Sequence, residues 1–93
     1  TNSPVITLSY PNPFTTSTKI FYELKLSGLL TMNIYNIKGE LIRHLFNGKQ
    51  ASGSGDITWN GKDDNNRVVA AGIYFVKLEQ NGITSHKKLI FIR

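Results

Sequence analysis

The 93-residue chain contains no cysteine, so neither a disulfide framework nor a thiolate metal site holds it together, and packing alone must supply its stability. It has a single Trp and a single Met. Charged residues make up only 18% against 40% hydrophobic, a balance that fits a folded domain and argues against a disordered tail. Long hydrophobic runs are also missing. Val68 to Ala71 and Ile73 to Val76 fall far short of a membrane span, and Thr1 to Tyr10 has no basic start followed by an apolar stretch. No signal peptide or anchor is expected here, so an exported form would take its signal from a larger precursor. Nor is there a stretch of helical period.

What is present alternates with period two. Ile20, Tyr22 and Leu24 oppose Lys19, Phe21 and Glu23, and Leu30, Met32 and Ile34 oppose Thr31, Asn33 and Tyr35, the pattern of strands with one face on a core. Ile37-Lys38-Gly39 reads as a tight hairpin turn. Leu41 to Phe46 reads as a strand ended by Asn47-Gly48, followed by a loop from Lys49 to Gly55. Asp56 to Asn60 then places Ile57 and Trp59 on one face, with Trp59 as a core anchor. Gly72 to Glu79 is the clearest strand, and Asn81-Gly82 should pair it with Ser85 to Arg93. Ile6, Leu8 and Tyr10 suggest an edge strand stopped by Pro11 and Pro13. About seven short strands with turns near every tenth residue predict an all-β, immunoglobulin/fibronectin-like antiparallel β-sandwich. Residues 1-93 form one domain on this reading, with 1-9 partly linker or edge strand.

Chemistry-bearing patterns are sparse. The net charge of +5 comes from Lys and Arg spread along the whole chain, only Lys87 and Lys88 being adjacent, so no nucleic-acid interface is expected. His44 and His86 fall on different strands with no Cys, Asp or Glu at ligand spacing. Ser54 lacks the glycine spacing of a nucleophile elbow, and no catalysis or cofactor is expected. Asp63 and Asp64 are the best calcium candidates, yet the EF-hand glycine position holds Val68 and the closing Glu position holds Tyr74. The competing reading is a turn whose Asp and Asn side chains accept backbone N–H groups. Phe21, Tyr35 and Phe75 face away from the core and leave a sugar-binding platform open as an alternative, provided they form a planar row.

In their order, these residues resemble a family. Tyr10-Pro11-Asn12-Pro13-Phe14 with Thr18 to Leu24, then Ile34 to Ile42, Trp59-Asn60-Gly61-Lys62-Asp63, Ala71 to Leu78, and Lys87 to Arg93 are similar to the type IX secretion system C-terminal sorting domains of Bacteroidetes, the Por secretion tail. The match covers residues 10 to 93, with Arg93 where a Lys is frequent. The immunoglobulin-like domain of the flagellar hook-capping protein is close kin, sharing the tryptophan turn and the Gly-Ile-Tyr strand. The resemblance implies structural motif roles for Pro11, Pro13, Gly39, Trp59, Gly72 and Tyr74. It also implies a non-catalytic secretion signal, carried by an N-terminal passenger, in transit through the periplasm to the cell surface or the exterior. An outer-membrane translocon would recognise it and a surface sortase remove it. The alternative is a structural or carbohydrate-binding accessory domain of an exported or flagellar protein. Translocon recognition is expected on Lys87, Lys88, Leu89, Ile90, Phe91, Ile92 and Arg93, read by strand addition along an accessible last strand. Exposed edge strands also leave a strand-exchanged homodimer open.

Overall fold

In the computed structural model, which describes residues 4–92, the strands in chain order are β1 (Val5–Tyr10), β2 (Thr18–Leu24), β3 (Gly28–Asn36), β4 (Leu41–Gln50), β5 (Gly53–Trp59), β6 (Gly72–Gln80) and β7 (Ile83–Phe91). They form a three-stranded sheet, β1-β2-β5, and a four-stranded sheet, β4-β3-β6-β7, all antiparallel. The predicted sandwich class is therefore the observed one.

Alternation builds the core. Ile20, Tyr22 and Leu24 from one sheet face Leu30, Met32, Ile34, Val76, Leu78 and Leu89 from the other, and Trp59 is fully buried between them. Each such side chain contributes roughly 1.5–3 kcal/mol by leaving water.

Three local expectations change. Ile6 pairs with Tyr22 but Leu8 with Phe21, so Thr7 is an extra residue on β1. This bulge reverses the alternation beyond it. Ser9 turns inward while Leu8 and Tyr10 are exposed. On β4 the register skips Leu45 and Ile42, and both pack against the core. Two bulges explain why this stretch lacks a clean period of two in the sequence. Finally, Asn47-Gly48 does not end β4: these residues pair with Thr31 and Leu30, and β5 already begins at Gly53.

The segment read as a loop of small residues is a strand because an aromatic covers it. Tyr22 stands opposite Gly55, and a Cβ added at Gly55 would lie 2.5 Å from the Tyr22 hydroxyl. Only glycine leaves room for the ring, which supplies the packing that the glycine lacks. Burial, with the Asp56 charge second, raises the Tyr22 pKa above its ordinary value.

Candidate interaction surface

The last strand is held from an unexpected side. Asn12, between Pro11 and Pro13, donates from Nδ2 to the Lys88 carbonyl and to Ser9 Oγ, each at 2.9 Å. Its Oδ1 accepts from Ile90 N–H, also at 2.9 Å. Two residues on, Phe14 N–H donates to the Ile90 carbonyl and the Phe14 carbonyl accepts from Ile92 N–H, both at 2.9 Å. Prolines suit this segment because it neighbours only one strand and can forgo two N–H donors.

An aromatic cluster lies beneath the clamp. The Phe14 ring stacks on Phe91 at 5.0 Å between centroids and meets Trp59 edge-on at 5.6 Å, while Trp59 meets Tyr74 edge-on at 5.3 Å. Such pairs add about 0.5–1.5 kcal/mol each beyond the buried area. The polar ends are satisfied: Trp59 Nε1 donates to the Lys62 carbonyl at 3.0 Å, and the Tyr74 hydroxyl donates to the Ala70 carbonyl at 2.6 Å. Tyr74 resembles the tyrosine corner of sandwich domains, and its burial raises its pKa. Gly61 has φ +73, and a Cβ there would stand 3.2 Å from the Phe91 ring. Gly39 closes the β3–β4 turn and Gly72 opens β6.

This arrangement divides the residues expected to be read. Leu89 and Phe91 are buried, Lys87 and Ile90 are half-buried, and Lys88 and Ile92 are exposed. Arg93 lies outside the described residues. The expectation of a free main-chain edge along this strand is corrected for residues 88–92, because Asn12 and Phe14 already occupy it. Strand addition there would first have to displace them. The clamp was not read from the sequence, although an Asn between two prolines followed by a large aromatic was its signal.

The acidic loop serves the fold. Asp63 Oδ1 accepts from Asn65 N–H at 2.9 Å and Arg67 N–H at 3.0 Å. Asp64 turns to β4, accepting from His44 N–H at 2.9 Å and pairing with His44 Nδ1 at 2.6 Å. The His44 backbone N–H, then its ring, hold the Asp64 carboxyl below the usual range. Asp63 and Asp64 thus face different partners, and among the described residues no three His, Cys, Asp or Glu side chains gather as a metal site. The His44–Asp64 pair joins residues 20 apart in the chain, a contact that local spacing does not reveal.

The outward face of the four-stranded sheet carries the remaining distinctive chemistry. Register places Leu41, Tyr35, Phe75 and Lys88 in one cross-strand row, His44, Asn33, Lys77 and His86 in the next, and Ile73 beside Ile90. An open hollow of about 340 Å³ lies beside the β3–β4 turn, lined by Tyr35, Ile37, Phe75, Lys77 and His86 among others. Phe21 belongs to the other sheet, so the three outward aromatics form no common row.

The family model described as the FlgD Ig-like domain matches residues 21–82. Sequence comparison with curated proteins gives no match. Among solved structures, the chain is similar to dimeric latent PorU from Porphyromonas gingivalis, with TM-score 0.70 and 20% identity over 91% of this chain and 9% of PorU. PorZ from the same organism, described as an essential bacterial surface component of the type-IX secretion system, gives 0.62 and 20% over 92% of this chain and 11% of PorZ. FlgD from Xanthomonas campestris, described in connection with hook capping, gives 0.65 and 24% over 95% of this chain and 64% of FlgD. The chain therefore spans a small part of the first two and less than two thirds of the third. At these identities the likeness establishes the fold.

Proposed function

The chain belongs to the FlgD Ig-like domain family, and on that premise we propose that it is a non-catalytic sorting module, carried by an exported passenger, recognised by a type IX outer-membrane translocon and removed by a surface sortase. The observation that carries this reading is the likeness of nearly the whole chain to segments covering 9% and 11% of PorU and PorZ, the latter a surface component of that system. One fold recurring as a small part of two much larger proteins of one organism, one of them a component of that system, is what an appended module would look like. The order of the Pro-Asn-Pro-Phe, tryptophan-turn and terminal-strand motifs supports it further. Transit through the periplasm to the cell surface follows from this reading.

The clamp on β7 gives the signal a physical form. Leu89 and Phe91 maintain the fold, while Lys88, Ile90 and Ile92 remain as side chains that a receptor can touch. Recognition then requires a folded domain rather than a linear tail. To test the reading, residues 1–93 are fused to the C-terminus of a periplasmic reporter in a bacterium with a type IX system. Surface display with loss of the domain is expected, and a folded fusion retained in the periplasm would sink the proposal. Deleting Phe91 to Arg93 is a poor test, because it removes a core ring and export would fail through unfolding.

A second reading, a structural domain in a hook-cap-like assembly, is favoured by the family match and by the coverage of Xanthomonas FlgD. It predicts that the fusion stays periplasmic and that the chain fractionates with flagellar hooks.

A further inference from the structure

The geometry points to the outer face of the four-stranded sheet, centred on Tyr35 and Phe75, as a docking surface for an acidic, apolar polypeptide segment of the export machinery, an inference that rests on the sorting reading. Three observations converge on this face. First, its apolar side chains are contiguous: Tyr35 stands opposite Phe75 and Leu41, and Ile73 opposite Ile90. Ile37 at the turn is 70% exposed. Aromatic anchors beside a hollow are the usual composition of an energetic centre in protein interfaces.

Second, the two lysines at the centre of this face lack carboxylate partners. Among the described residues the carboxylate pairs are Lys25 with Glu23 and His44 with Asp64, so neither Lys77 nor Lys88 is paired with a carboxylate. Lys77 instead faces His86 across the strands, and Lys88 faces Phe75. Glu79, one row further along β6 opposite Thr84, is the acidic residue of this strand.

Third, the Lys77 ammonium lies 5.9 Å from the centroid of the Tyr35 ring. A cation over the ring adds charge to the lining of the hollow and obstructs a sugar from lying flat on that ring. The chemistry selects acidic side chains interspersed with apolar ones. It also explains why the outward residues of β7 matter in a folded signal: Lys88 and Ile90 complete a surface whose other half comes from β3 and β6.

The test compares reporter fusions bearing the unaltered domain, Lys77→Glu with Lys88→Glu, and the control pair Lys19→Glu with Lys25→Glu on the three-stranded sheet side. Thermal unfolding verifies that each is folded. Surface display should fall about tenfold or more for the first pair, as for loss of an interface centre, and stay unchanged for the control. Equal display of both pairs overturns the docking surface, and equal failure of both assigns the effect to net charge and overturns it too. If the unaltered fusion is itself retained, the sorting reading fails, and the surface is judged by NMR titration of the domain with a synthetic Asp-Phe-Asp-Leu-Asp-Phe-Asp peptide. Saturable shifts centred on Tyr35 and Phe75 that vanish in the Lys77→Glu, Lys88→Glu domain support it; scattered or absent shifts overturn it. A homodimer dissolved by the same substitutions would replace the acidic partner with a second copy and also overturn it.

Discussion

Replacing Asn12 by Ala should unfasten the last strand without touching the core. The side chain makes three hydrogen bonds of 2.9 Å, two to backbone groups of β7 and one to Ser9 Oγ. A net hydrogen bond is worth about 0.5–1.5 kcal/mol, and a donor left buried without a partner costs about 1–3 kcal/mol. The two bonds from Nδ2 account for about 1–3 kcal/mol and the partly buried Ile90 N–H left without a partner for about 1–3 kcal/mol more, so the sum comes to about 2–6 kcal/mol, a large share of the roughly 5–15 kcal/mol typical of a domain. For a chain of this size the midpoint of thermal unfolding should drop by roughly 10 °C or more. Amide exchange at Ile90 and Ile92 should accelerate more than at Val76 in the sheet centre. Asn12→Asp sharpens the test. It keeps an acceptor for Ile90 N–H but aims a carboxylate oxygen at the Lys88 carbonyl, so it should match Asn12→Ala at neutral pH. Below the carboxyl pKa, the protonated group regains a donor and part of the loss should return. A drop under about 3 °C, far below that expected from the hydrogen-bond scale, or an unchanged Ile90 exchange rate, would refute the clamp.

Gly55→Ala should cost about 1–3 kcal/mol in denaturant unfolding, since its Cβ meets the Tyr22 ring. Combining it with Tyr22→Leu should cost less than the sum of the two single changes. Tyr74→Phe removes the hydrogen bond to the Ala70 carbonyl and should cost about 1 kcal/mol at neutral pH. Because the folded-state pKa of Tyr74 is raised, the unfolded chain ionises first, and stability present at neutral pH declines as pH rises above about 10. That alkaline decline should be shallower in Tyr74→Phe. Asp64 behaves in the opposite sense: its folded pKa is lowered, so its contribution is present above the ordinary carboxylate range and disappears as pH falls through the folded value. A carboxyl-carbon NMR titration should place its midpoint below that of a model peptide, and below it the stabilities of Asp64→Asn and the parent should converge.

The individual strands were legible wherever apolar residues alternate without interruption, whereas their division into a three-stranded and a four-stranded sheet was not. Ile20, Tyr22 and Leu24 on β2, and Tyr74, Val76 and Leu78 on β6, turn inward as their spacing demands. The period failed at Leu8 and at Leu45, where bulges add a residue on one strand alone. A bulge is fixed by register with a partner, which no local window contains. The same limit hid Ser54 and Gly55: small residues look unstructured until Tyr22, 33 positions earlier, is seen to cover the glycine.

What the sequence alone determined is the strand inventory, the turns at Gly39 and Asn81-Gly82 and the core of the uninterrupted strands, because these follow from two-residue periodicity and from backbone preferences carried by single residues. Tertiary structure decided which side chains meet. It joined Asn12 to Ile90 across 78 positions and His44 to Asp64 across 20, and it gathered Tyr35, Phe75 and Lys88 from three strands into one row. The physical reason is that cross-strand neighbours are selected by the order and register of the sheets. The final strand, which reads as an open edge in one dimension, is closed by a segment from the other end of the chain, which leaves Lys88 and Ile92 exposed beside a partly occupied main-chain edge.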